Sequence, residues 1–105
     1  MFEAIRSLFA KKNQENYAEL MGMGAQIIDV RTPGEYQSGH IHGSVNIPLD
    51  ILHRNLSKIK KDRPVITCCA SGMRSLSAKS ILASNGFTEV YNGGGWASLQ
   101  QKIKR

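Results

Sequence analysis

Val65-Ile66-Thr67-Cys68-Cys69-Ala70-Ser71-Gly72-Met73-Arg74-Ser75 sets an apolar run against a loop of small residues that closes on an arginine. A short apolar run of this kind reads as a strand covered on both faces. Beyond it, Leu76, Ala78, Ile81 and Leu82 supply the packed side of a helix expected from Ser75 to about Ala83. Strand, small loop and helix together deliver a thiol to the carboxyl end of a strand, where the sites of open α/β sheets lie.

The flanking segments repeat the pattern. Upstream, Glu15 to Met23 reads as a helix ended by Gly22 and Gly24, and Gln26-Ile27-Ile28-Asp29-Val30 as a buried strand. Thr32-Pro33-Gly34-Glu35 is a capping box with proline at the first helical position, so a brief helix follows. Gly39-His40-Ile41-His42-Gly43 is a loop into a second short strand, Ser44-Val45-Asn46-Ile47, closed by Pro48. Leu49, Leu52, Leu56 and Ile59 recur at helical spacing, which predicts a helix over Asp50 to Lys60 with a basic end. Downstream, Asn85-Gly86 ends the thiol-loop helix, with Phe87 folding back on its last turn. Glu89 to Asn92 reads as a strand, Gly93-Gly94-Gly95 as a compact loop and Trp96 to Ile103 as a closing helix. Alternating strands and helices predict an α/β fold, a small, mostly parallel sheet flanked by helices.

The chain has 105 residues, room for one domain and one site. Residues 1–14 are expected to be an N-terminal extension and 15–105 the domain. A net charge of +6 and a pI near 9.6 favour anionic partners. The basic clusters lack interleaved aromatics or a recognition motif, so no nucleic-acid partner is expected. No apolar run approaches the roughly 20 residues of a membrane span. An acid and bases interrupt the first dozen residues, so neither a secretory signal nor membrane contact is expected, and the expected address is cytoplasmic. Two adjacent cysteines are too few for a disulfide framework or a closed zinc site and fit a reduced compartment with a working thiol.

A nucleophilic thiol needs its pKa lowered by positive charge or by a helix amino terminus. The amides of Ala70, Ser71, Gly72, Met73, Arg74 and Ser75 can form an anion nest at the start of a helix, with Gly72 permitting the turn. Arg74 can turn inward to grip an anion or outward to pair with an acid such as Glu35. Alternation along the strand puts Cys68 with Ile66 in the packed body and Cys69 at the mouth, the first residue to leave the ladder. Counting instead from Cys68 to Arg74 leaves five residues between them, the spacing of a cysteine phosphatase. That alternative lacks an evident general acid in the loop.

Other residues read as supports. Asp29 beside Arg31 can order loops through hydrogen bonds or an ion pair, and Asn46 can bridge them. Trp96 either shields the site or docks the last helix, and Met73 is an apolar lip near the entrance. His40 and His42 have no third ligand to complete a set, so no metal is expected; His40 reads as a loop-fixing donor.

Four blocks in order make the chain resemble a single-domain rhodanese, a thiosulfate-type sulfurtransferase, over about Tyr17 to Lys102. They are Asp29 to Tyr36, Gly39 to Pro48, Cys69 to Ser75, and Tyr91 to Trp96. The resemblance implies a rhodanese-like fold, a persulfide on Cys69, and a six-residue loop whose amides line a pocket sized for a sulfane sulfur. Phosphatases of the cell-cycle type have a loop one residue longer. It further implies a thiosulfate or persulfide donor, a thiol or cyanide acceptor that a protein can carry, and no cofactor; a monomer is expected, though the resemblance does not supply it. A persulfide carrier with little turnover is the other reading of the same residues.

Overall fold

A computed structural model describes residues 16–104, so the expected extension at 1–14 lies outside the described residues. The elements run α1 (Tyr17–Gly22), β1 (Gln26–Asp29), α2 (Pro33–Gln37), β2 (Val45–Asn46), two 3-10 segments (Leu49–Arg54 and Leu56–Lys58), β3 (Val65–Cys69), α3 (Met73–Ser84), β4 (Val90–Gly95) and α4 (Trp96–Ile103). The four strands pair in the order β2-β1-β3-β4, all parallel. Their carboxyl ends therefore share one edge of the molecule, as the alternating pattern requires.

Each face of the sheet carries its own apolar layer. Ile28, Val30, Val65, Cys69 and Val90 pack with Ile47, Leu52, Ala78, Leu82 and Phe87 on the side covered by α3 and the 3-10 segments. Ile27, Ile66 and Cys68 pack with Leu20, Ile41 and Leu99 on the side of α1 and α4. Neighbours in β3 thus alternate between layers, and the adjacent cysteines point to opposite faces.

Local signals hold where partners are close in sequence. The capping box is complete: the Glu35 amide donates to Thr32 Oγ1 at 3.3 Å and the Thr32 amide to Glu35 Oε1 at 2.9 Å. At the end of α3, Gly86 takes a positive φ of 89°, and buried Phe87 donates its amide to the Leu82 carbonyl at 3.1 Å.

Three expectations change. The helix over 50–60 is two 3-10 segments, because Asn55 leaves helical geometry (φ −128°, ψ 24°) and its side-chain amide occupies the Ile51 carbonyl at 2.8 Å. The apolar spacing still buries Leu52 and Ile59. The compact loop at Gly93-Gly94-Gly95 is the second half of β4. A Cβ on Gly93 would lie 2.8 Å from the Ile66 and Leu99 side chains and from the Thr67 carbonyl, so its absence is what lets the strand close on β3. Lastly, Cys69 is not at the mouth: it stays in the ladder opposite Gly95, across a register shift after Thr67, and is as buried as Cys68 within its own apolar layer, while α3 begins at Met73 rather than Ser75.

Candidate active site

Gly72 is the hinge of the thiol loop. Its φ of 106° is open to glycine and strained for other residues, and it turns the chain from β3 straight into α3. The turn aims two amides at one atom: Gly72 N donates to Cys69 Sγ at 2.9 Å and Ser75 N at 3.3 Å. The Ser75 hydroxyl lies 3.6 Å from the same sulfur. Burial raises the cost of a Cys69 thiolate, but the Ser75 hydroxyl and the amides of Ser75, Gly72 and Ser71 outweigh it and lower the thiol pKa below its ordinary value. Burial drives Cys68 strongly the other way, reinforced by nearby Asp29. A sulfur bearing negative charge is accommodated on Cys69 and disfavoured on Cys68.

Of the loop residues, Ala70, Ser71 and Met73 are exposed, Met73 by 76%, while Ser75 is fully buried. Leu76, expected on the packed side of this helix, is instead 54% exposed; the buried residues of α3 are Ser75, Ala78 and Leu82. Arg74 takes the outward alternative: Nη1 and Nη2 donate to the two carboxylate oxygens of Glu35 at 2.8 and 3.0 Å. That bond, with the Thr32 amide, holds the Glu35 carboxyl down at about 2. Arg74 also lines a groove of about 310 Å³ with Val30, Thr32, Pro48, Leu49 and Asp50.

The supporting residues form a second assembly behind the loop. Asp29 and Arg31 are buried and paired, with Arg31 Nη2 to Asp29 Oδ2 at 2.7 Å and Nε to Oδ1 at 2.9 Å. Arg31 extends the contact to the Gly39 carbonyl at 2.7 Å and stacks its guanidinium 4.8 Å from the Trp96 ring centre. Asn46 donates to the carbonyls of Asp29 and Arg31 at 3.0 and 2.9 Å, tying β2 to the end of β1. Trp96 packs with the α1 and α4 layer, so it docks the last helix. His40 fixes its loop, stacking on Tyr36 and placing Nδ1 2.7 Å from the Tyr36 carbonyl.

Two features escape a reading of motifs. The groove wall at Leu49 and Asp50 belongs to the segment expected to be helical. Asn92 is bound to Ser75 Oγ through its side-chain oxygen at 2.5 Å. Its position at a strand's carboxyl end, just before three glycines, is the only signal the sequence offers for it.

The sequence profile of the rhodanese-like domain family matches residues 12–102. The chain is 46% identical over 81 residues to the uncharacterized protein YqhL of Bacillus subtilis (strain 168), covering 76% of this chain and 64% of that one. It is 36% identical over 86 residues to the thiosulfate sulfurtransferase GlpE of Ectopseudomonas mendocina (strain ymp), covering 82% and 79%. A solved structure, a rhodanese with anions from E. coli, superposes with a TM-score of 0.66 at 38% identity over 70% of this chain and 89% of that one. With the parallel four-stranded sheet and the match across nearly its whole length, the chain belongs to the rhodanese-like domain family.

Proposed function

We propose that this chain is a sulfurtransferase that carries a sulfane sulfur on Cys69. The observation that carries the reading is the convergence of the Gly72 and Ser75 amides, with the Ser75 hydroxyl, on the Cys69 sulfur. In the first half-reaction the Cys69 thiolate attacks the outer sulfur of thiosulfate or of a persulfide. The sulfur–sulfur bond of the donor breaks, and sulfite or a thiolate leaves with the electron pair. In the second, an acceptor thiolate or cyanide attacks the outer sulfur and Cys69 departs as thiolate, its charge again met by the cradle. Arg74 forms the rim and, by its charge, draws anionic donors toward the mouth. Ala70, Ser71 and Met73 line the approach, with Met73 available to a protein-borne thiol.

A phosphatase built on Cys68 and Arg74 has two observations against it. The Cys68 side chain lies on the opposite face among Leu20, Ile27, Ile66 and Leu99, and Arg74 is turned to Glu35.

Intact-mass measurement after exposure to thiosulfate tests the reading. The chain and Cys68→Ala are expected to gain one sulfur atom, and Cys69→Ala none. An adduct that follows Cys68, or phosphate release from an aryl phosphate with no adduct, overturns it. Turnover with cyanide or a thiol separates an enzyme from a carrier that loads and does not discharge.

A further inference from the structure

The Ser75 hydroxyl has one hydrogen and three neighbours that compete for it. Asn92 Oδ1 lies at 2.5 Å, the Gly72 carbonyl at 3.0 Å and Cys69 Sγ at 3.6 Å. Asn92 presents oxygen rather than nitrogen, because the same Oδ1 accepts the Gly94 amide at 3.0 Å. Its strand is held on both sides: Asn92 is in register with Thr67 of β3, and its carbonyl accepts the Tyr17 hydroxyl at 3.2 Å. The carboxamide oxygen is thus a built acceptor aimed at a fully buried serine.

The arrangement suits a neutral Cys69, whose S–H can donate to Ser75 Oγ while the serine donates onward to Asn92. A negative sulfur asks for the opposite. To serve it, the serine hydrogen must swing to Sγ, which breaks the bond to Asn92 and leaves two oxygens facing each other with no hydrogen between them. We infer that Asn92 is a positioning residue that, through the Ser75 hydroxyl, withholds a hydrogen bond from the Cys69 thiolate and so keeps this thiol less acidic than its cradle alone would make it.

The inference rests on Cys69 being the reactive thiol, and it bears on both half-reactions. A less acidic thiol gives a more nucleophilic thiolate and a poorer leaving group. Once ionised, Cys69 is thus the stronger nucleophile for loading and the poorer leaving group in discharge, at the cost of a smaller thiolate fraction. The charged and titratable groups around the sulfur are Arg74 of α3 with its partner Glu35 of α2, the Asp29–Arg31 pair at the end of β1, and Cys68 beside it on β3. Toward Ser75, β4 brings Asn92 and the Gly94 amide that orients it.

The test is the pH dependence of iodoacetamide alkylation of the full chain, with the modified cysteine identified by mass. Asn92→Ala is expected to lower the pKa of Cys69, raising the thiolate fraction below the pKa about three- to tenfold, one neutral hydrogen bond's worth. In a Ser75→Ala background the Asn92 substitution is expected to do nothing. Asn92→Val, better suited to a strand, reads the same quantity if the alanine variant folds poorly. A rise or no change on replacing Asn92, or a shift that persists without the Ser75 hydroxyl, overturns the inference. Loss of packing alone would loosen the cradle and raise the pKa, so the sign separates positioning from mere structure. A sulfur adduct on Cys69 with no Asn92 effect defeats the inference and spares the proposed function; the expected pKa shifts with no sulfur uptake do the reverse.

Discussion

Arg74 holds Glu35 by both terminal nitrogens, so the last residue of the thiol loop is bound to the capping box of α2, thirty-nine residues away. Both side chains are about one-third exposed, at 36% and 37%, so the pair contributes geometry more than stability. Glu35 Oε1 also accepts the Thr32 amide and hydroxyl, which makes one carboxylate the shared anchor of α2 and of the first turn of α3.

Glu35→Gln is expected to release Arg74, leave its charge uncompensated beside the mouth, lower the KM for thiosulfate and leave the fold intact. Its effect on stability should depend on pH with a definite sign. The Glu35 carboxyl titrates at about 2 instead of 4.5, so its contribution is complete above about 4.5 and is lost as pH falls toward 2. Urea midpoints of the chain and the variant are expected to differ by a constant amount from neutral pH down to about 4.5 and to converge as pH falls from there toward 2. A difference that grows on acidification would reject the assignment.

Asp29→Asn is expected to cost about 3–5 kcal/mol, because it leaves the buried Arg31 guanidinium without its carboxylate. Replacing both residues, as in Asp29→Leu with Arg31→Met, is expected to recover part of that loss, since the burial of two charges is then avoided. Denaturant unfolding checks both. Equal stability of the single and double variants would mean that the pair is not what orders the end of β1.

Gly95→Ala is expected to reduce sulfur loading more than it reduces stability. A Cβ there would lie 2.9 Å from the Ala70 carbonyl, so the thiol loop has to move. Gly93→Ala has the opposite balance. Its Cβ meets Ile66, Leu99 and the Thr67 carbonyl, all at 2.8 Å, and the overpacked layer is expected to cost about 1–3 kcal/mol or more. Paired measurements of unfolding and of mass gain after thiosulfate distinguish the two glycines.

What was legible in the chain was local or periodic. Thr32 and Glu35 are three residues apart and find each other within one turn, so the capping box needs no distant partner. Alternation along β3 separates Cys68 from Cys69 because successive side chains of a strand must point apart, and the two thiols do enter different layers. The same alternation failed at the last step: it ended the strand at Cys68, whereas glycines in β4 let the ladder run on to Cys69.

The sequence by itself determined the parallel α/β order, the two-sided core and the single loop able to cradle a thiol, since these follow from periodicity, caps and the turn at Gly72. Only the tertiary structure decided what that loop touches. Arg74 could have faced in or out, and the position of α2 turned it to Glu35. Leu49 to Lys58 has helical spacing, and Asn55 broke it by taking the Ile51 carbonyl. Asn92 meets Ser75 across seventeen residues because β3 and β4 are pressed together where a side chain on Gly93 would have held them apart. Contacts of that kind depend on the distance between packed elements, a quantity that no local pattern encodes.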